Sequence, residues 1–220
     1  MAHRQLLIKK VTSRMYAENC YLVSLAGRAD CLVVDPGLEP GRILTVMRDS
    51  GLEPAAILCT HGHADHIAGN AALKMAFPAV PLIIGEGDAE KLVDPDLNLS
   101  SLFSAPLVSP PADRLVREGD TVEVAGMTFH VLDTPGHSSG HVVFLTKDQE
   151  PWVVFGGDVL FQGSVGRTDF PDGDTDLLRS SIRNKLFTLP PETEVYPGHG
   201  EPTTIGEEME TNPYVGRGAF

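Results

Sequence analysis

The chain has 220 residues, enough to bury one sizeable core and short for two average domains, so a single domain over 1–220 is expected. Its 17 basic and 30 acidic side chains leave a net charge of −13, which repels phosphate backbones and argues against nucleic acid as a partner. No run approaches the roughly 20 apolar residues of a membrane helix, and "MAHRQLLIKKVTS" holds an apolar stretch too short and too broken by lysine for a secretory signal.

Cys20, Cys31 and Cys59 are odd in number and lie in apolar runs. They read as reduced, buried thiols, which places the protein in the cytoplasm. In chain order, "NCYLVSL" and "DCLVVDPG" flank the turn "AGRA" and predict a hairpin, because β-branched and aromatic residues cluster between turn residues. "EPGRILTVMRDSG" predicts a helix in which Ile43, Leu44 and Met47 share a face and Gly51 supplies the stop. "AAILCT" reads as a buried strand, "DHIAGNAALKMAF" as a helix and "VPLII" as another strand.

Residues 94–113, rich in proline and serine, predict a long surface loop. "DRLVREGDTVEVAGMTFHVLDT" resumes with hairpins, and "HVVFLT" and "PWVVFGGD" follow as strands. "DTDLLRSSIRNKLF" is helical, with Leu178, Ile182 and Leu186 spaced by four. "TEVYPGHG" is a last short strand and turn, and the Thr204 to Glu207 capping box in "TTIGEEM" opens a short helix. Hairpin-linked strands and helices alternate in both halves, which predicts two sheets with helices outside rather than one parallel sheet.

The chemistry concentrates at the ends of apolar strands. "CTHGHADHIAGN" places His61, His63, Asp65 and His66 directly after "AAILC". His137 follows "TFHVLDTPG", Asp158 follows "WVVFGG" and His199 follows "EVYPG". Strand ends on a rigid scaffold are where sites are commonly built. Five imidazoles and two carboxylates suit zinc or another borderline divalent ion. Seven donors exceed one tetrahedral ion and divide between two, with one carboxylate shared, an arrangement that can clamp both attacking and leaving groups. Cys59 stands beside the cluster as either a further ligand or, as its strand neighbours favour, core packing. His3, His130 and His141 are assigned no role.

Asp35 of "DPG" is read as a brace for the metal loop or a plain turn residue, Gly156 and Gly157 as residues that let the backbone approach the metal, and Glu207, Glu208 and Glu210 as a solvated helix face.

"THGHADH", "TPGH", "GGD" and "YPGHG" resemble the motif series of the metallo-β-lactamase superfamily over nearly the whole chain. "NCYLV", "VVDPG", "TPGHSSGHVVF", "GSVGRTDFPDGD" and "YPGHGEPTTIGEE" are similar to the glyoxalase II-like hydrolases (hydroxyacylglutathione hydrolases), in their short bacterial form. The resemblance implies an α+β fold, a four-layer αββα sandwich. It implies a first ion on His61, His63 and His137, a second on Asp65, His66 and His199, and Asp158 bridging. The ions would be zinc, with iron or manganese as alternatives. The chain departs from the long glyoxalase II form in two respects. About twenty residues follow His199, where that form carries a larger helical region, and Arg167 and Asp169 stand where it has lysine and tyrosine.

The activity implied is hydrolysis of a small-molecule thioester, S-lactoylglutathione or a related hydroxyacylglutathione, by a hydroxide bridging the metals. A thiolate leaving group, of conjugate-acid pKa about 8.5, needs little help from a general acid, and Asp65 is the one acid at hand. Arg167 either grips a glutathione carboxylate or pairs with Asp169 or Asp172 and holds its loop. The rival from another reaction class is a mononuclear-iron glutathione persulfide dioxygenase, which "GRTDF" also resembles and which would use positions matching His61, His137 and Asp158. A non-catalytic metal-binding module is a third reading. It fits less well, because structural zinc sites are closed by four ligands, often cysteines.

Overall fold

"NCYLVSL" sends Tyr21, Val23 and Leu25 to one face of its strand and Cys20 and Leu22 to the other, and both faces are buried. Such a strand needs a packing layer on each side. The computed structural model describes residues 5–102 and 105–219, and supplies those layers. His3 lies outside the described residues.

Strands β1 (Leu6–Thr12), β2 (Asn19–Leu25), β3 (Asp30–Val34), β4 (Glu53–Cys59), β5 (Leu82–Gly85) and β6 (Arg114–Val116) form the first sheet in that order. It is antiparallel from β1 to β3 and parallel from β3 to β6. The second half contributes β7 (Thr121–Val124), β8 (Met127–Asp133), β9 (Val142–Thr146), β10 (Val153–Gly157), a small hairpin of β11 (Leu160–Phe161) and β12 (Ser164–Val165), then β13 (Glu194–Pro197) and β14 (Thr203–Thr204). The second sheet runs β14-β13-β10-β9-β8-β7, with β10 and β13 parallel and the other pairs antiparallel.

Leu32, Leu58, Phe129, Phe144 and Phe155 fill the space between the sheets. On the outer face of the first sheet, Ile43 and Met47 of α1 (Pro40–Asp49) and Leu73 of α3 (Asn70–Ala76) join the same buried cluster as Leu22, Val33 and Ile57. Leu178 and Ile182 of α4 (Thr175–Asn184) and Ile205 of α5 (Ile205–Thr211) cover Val143, Val154 and Val195 of the second. The order of layers is α, β, β, α, as the sequence reading expected. All three cysteines are free and buried. Cys59 faces the outer helices and contacts Asn70, so it packs in the core and lies outside the donor groups.

Four local expectations change. The helix expected from Asp65 to Phe77 is two, α2 (Ala64–Ile67) and α3, broken at Gly69, where a Cβ would sit 2.6 Å from the Pro36 carbonyl oxygen. The Gly69 N–H donates to that same oxygen, so a tertiary contact overrides the helical pattern. "DRLV" forms no hairpin. It becomes β6, the parallel edge of the first sheet. Over its described residues the 94–113 segment is the loop expected, but it is not merely a surface one: buried Asn98 donates to the Lys91 and Leu107 carbonyls and its Oδ1 accepts the Ser100 N–H. Glu208 is fully buried, not solvated. It accepts from the Gly163 N–H, Thr203 Oγ1 and Asn212 Nδ2, tying the β11–β12 turn to α5.

Candidate metal centre

β3 and β4 run parallel, as do β8, β10 and β13, so the ends of these strands gather along one edge of the sandwich. Asn19 and Tyr21 stitch the two sheets together there. The Asn19 N–H donates to the Gly198 carbonyl, and Asn19 Nδ2 and Tyr21 OH both donate to the Pro197 carbonyl. All seven expected donors meet at this edge, in three overlapping groups. These are His61, His63 and His137; His61, His66 and Asp158; and Asp65, His66 and His199, with ligand atoms inside each group within 4.8 Å of one another. Asp158 touches both halves. Its Oδ1 is 3.4 Å from His66 Nε2, and its Oδ2 is 3.6 Å from His137 Nε2 and 3.5 Å from His199 Nε2.

Hydrogen bonds decide which imidazole nitrogens face the centre. His66 Nδ1 donates to Asp35, His137 Nδ1 to the Arg167 carbonyl and His199 Nδ1 to the Tyr16 carbonyl. Thr60 Oγ1 spends its proton on Asp35 and so accepts from His61 Nδ1. Each of these four rings therefore turns an Nε2 lone pair inward, the second-partner arrangement of metal-binding histidines. His63 enters by its other nitrogen, with Nδ1 2.9 Å from His137 Nε2.

Two tests bear on whether the donors fit metal. His61 Nε2, His66 Nε2 and Asp158 Oδ1 are buried without a hydrogen-bond partner, which buried polar atoms rarely tolerate. The separations of 3.4 Å for His66–Asp158 and for His199–Asp65 are long for hydrogen bonds, yet close to the roughly 3.3 Å edge of a tetrahedron of donors about 2 Å from a zinc ion. The donors fit divalent metal.

Electrostatics agree. Burial drives His61 well below the ordinary imidazole value, and burial with His137 and Lys91 nearby takes His63 down to about 3, leaving neutral lone-pair donors. Burial would raise Asp158 and Asp65, but the surrounding histidines, His66 foremost, hold both below the ordinary carboxylate value. Burial would lower His66, and the two carboxylates reverse that, as expected of a pocket that favours a cation.

Supporting residues surround the donors. Asp35 does brace the loop, accepting the Thr60 N–H at 2.7 Å as well as Thr60 Oγ1 and His66. Asp88, fully buried, accepts from the Gly62 N–H, the Gly140 N–H and Ser138 Oγ, and so joins the His61–His63 loop to the His137 loop. Lys91 links Asp88 at 3.1 Å to Asp172 at 2.6 Å. No motif flagged Asp88, because its Gly62, Ser138 and Gly140 partners come from two loops far from it in the chain. His141 is fully buried between the strand ends, although it looked like an ordinary strand residue. Gly157, with φ +47°, approaches Thr60 and His141.

His63, Asp65, His137, Asp158 and His199 line a cleft of about 860 Å³ walled by Met15, Tyr16, Leu38, Leu99, Phe161 and Phe170. Arg167 is on its rim. The side chain is 60% exposed, makes a two-pronged ion pair with Asp169 and lies over the Phe170 ring at 4.3 Å. Asp169 is drawn down to about 2, chiefly by that pairing. Lys91, not Arg167, is the partner of Asp172.

A family model of the metallo-beta-lactamase superfamily matches residues 14–199. The chain belongs to the metallo-β-lactamase superfamily. It is 36% identical over 203 residues to the hydroxyacylglutathione hydrolase GloC of Haemophilus influenzae, covering 91% of this chain and 93% of that one. Among solved structures, the BLEG-1 B3 metallo-beta-lactamase superposes with a TM-score of 0.90 at 37% identity, over 95% of this chain and 99% of the other. TTHA1623, solved in a di-iron-bound form, superposes with a TM-score of 0.81 at 40% identity, over 94% and 99%. Family and donor cluster together support a metal-dependent hydrolase.

Proposed function

We propose that this superfamily member is a binuclear metallohydrolase of thioesters, with S-lactoylglutathione or a related hydroxyacylglutathione as substrate. The observation that carries it is Asp158, which reaches donors of both groups, His66 with Oδ1 and both His137 and His199 with Oδ2. The similarity to GloC supports the substrate class. His61, His63 and His137 would hold one ion and Asp65, His66 and His199 the other, with Asp158 shared. Zinc or iron suits the donors. When bound, the ions supply Lewis acidity, which polarises a carbonyl and acidifies water near neutral pH.

The chain's own residues do the rest. The cleft admits the acyl carbonyl to the donor edge and its apolar walls exclude bulk water from the scissile bond. Asp65, partly exposed and kept ionised, is placed to take a proton from attacking water and return it to the departing sulfur. Because that sulfur leaves readily as thiolate, the step asks little of Asp65. A β-lactam amide demands protonation of its nitrogen and is the harder substrate. Arg167 would meet a glutathione carboxylate at the rim by exchanging Asp169 for it.

The test combines metal analysis of native protein with thiol release from S-lactoylglutathione. Two ions per chain and stoichiometric release of acid and thiol are expected, and Asp158→Ala should lose bound metal together with activity. A single iron with oxygen uptake on glutathione persulfide would replace this reading by the dioxygenase. Cleavage of β-lactams alone would replace its substrate.

A further inference from the structure

We infer that His141, which is not one of the seven donors, is the positioning residue that registers Asp158 and His61 against each other. The inference rests on Asp158 being the shared ligand of the proposed centre. Gly157, in the left-handed region at φ +47°, turns the chain so that the Asp158 N–H points back into the protein. There it donates to His141 Nε2 at 3.1 Å. An accepting Nε2 requires the ring proton on Nδ1, and that nitrogen faces Thr134 Oγ1 at 3.1 Å. Thr134 is fixed in turn, since its own N–H donates to the His141 carbonyl at 2.8 Å. The flat of the imidazole stacks on His61, with centroids 4.9 Å apart and planes 22° apart.

One buried ring therefore holds one ligand by its edge and another by its face. Both its nitrogens are committed, so it is not an eighth donor. No side chain could be added at Gly157 without meeting this arrangement, because a Cβ there would lie 2.7 Å from His141 Nε2. A ring that merely filled space would need neither a single tautomer nor Thr134.

Metal affinity, measured by chelator competition on the zinc-loaded protein, separates the two roles. His141→Leu keeps much of the volume and removes the acceptor, and His141→Gln restores an acceptor near the Nε2 position. For a positioning role, His141→Leu should weaken retention of the ions by about 10–100-fold, the usual effect of losing such a partner. His141→Gln should recover most of the loss, and Thr134→Val should weaken retention several-fold by freeing the tautomer. With thioester as the second readout, kcat should fall while KM stays within about twofold. Native affinity in His141→Leu, or equal losses in the Leu and Gln variants, would overturn the proposal in favour of packing. Should His141→Leu fail to fold, native affinity in Thr134→Val would overturn it by itself. The readout is metal retention, so a native protein that binds metal and cleaves no thioester would remove the substrate reading and leave this one standing.

Discussion

At Arg167 two partners compete for one guanidinium. The fork that would grip a substrate carboxylate is closed on Asp169, and the ring of Phe170 supports it from below. The pair is exposed, so holding it closed stabilises the fold little, and exchange for a substrate carboxylate costs correspondingly little. Arg167→Ala is expected to raise KM for glutathione thioesters about tenfold, near 1.4 kcal/mol, with Tm almost unchanged and small thioesters unaffected. A uniform loss on every thioester together with a lower Tm would assign Arg167 to its loop alone. The backbone of the same residue has a separate duty, because its carbonyl holds His137; substitution of the side chain leaves that contact in place.

Asp172 is the residue at which acid should be felt away from the metal donors. Burial raises its carboxyl, but Lys91 and the Ser139 N–H outweigh burial and bring it from the ordinary 3.8 to about 2. A depressed carboxyl stabilises the folded state above its unfolded pKa and loses that contribution as pH falls through the folded one. The contribution should be complete above about pH 5, lost progressively below it and gone near pH 1, and about 1 kcal/mol in size once solvent screening is allowed for. Chemical denaturation of metal-free Asp172→Asn beside the native chain checks this. The difference between them should shrink across that window, and a constant difference would show that the Lys91 pair contributes nothing through charge.

Among the elements, α4 and the His137 loop form one unit. Gly136 sits at φ +132°, and a Cβ there would collide with the backbone of Leu178. The Gly136 carbonyl accepts the N–H of Asp174, whose side chain caps the helix at Leu177, and Ser181 Oγ donates to the Pro135 carbonyl. The "TPG" preceding His137 is thus a seat for a helix as well as a turn. Gly136→Ala should cost about 3 kcal/mol, lower Tm by on the order of 10 °C and reduce metal retention through His137. An unchanged Tm would show that the loop tolerates the Cβ by moving. The helix expected across Gly69 failed for a related reason. Periodicity reports which face is apolar, and it carries no information about a carbonyl from Pro36 arriving at that position.

At the scale of the molecule, the donor edge and the core are separate. The donors lie just past the ends of β4, β8, β10 and β13, whereas the apolar clusters fill the space between and outside the sheets. Stripping the metal should therefore leave the far-ultraviolet circular dichroism nearly unchanged while lowering Tm. Ions held about 1,000-fold above their Kd contribute about 4 kcal/mol, which at this chain length corresponds to on the order of 10 °C. Re-addition of zinc should restore the lost Tm. A collapse of secondary structure on chelation would mean that the strand ends need the ions in order to fold.

The sequence by itself determined the layers and the donors. Strand and helix patterns report burial of successive side chains, so two-faced strands such as "NCYLVSL" already demand cover on both sides. The histidine and aspartate types, placed after apolar runs, already specify the chemistry they can support. Only the tertiary structure decided how those donors are aimed. Asp88, His141 and Asp35 act through hydrogen bonds between segments far apart in the chain, and spacing within one segment cannot encode them. The same holds for Glu208. It reads as one of several solvated acids until the β11–β12 turn, Thr203 and Asn212 close around its carboxylate. Burial of a polar group is favourable only where partners meet it, and those partners exist only once the two sheets have met.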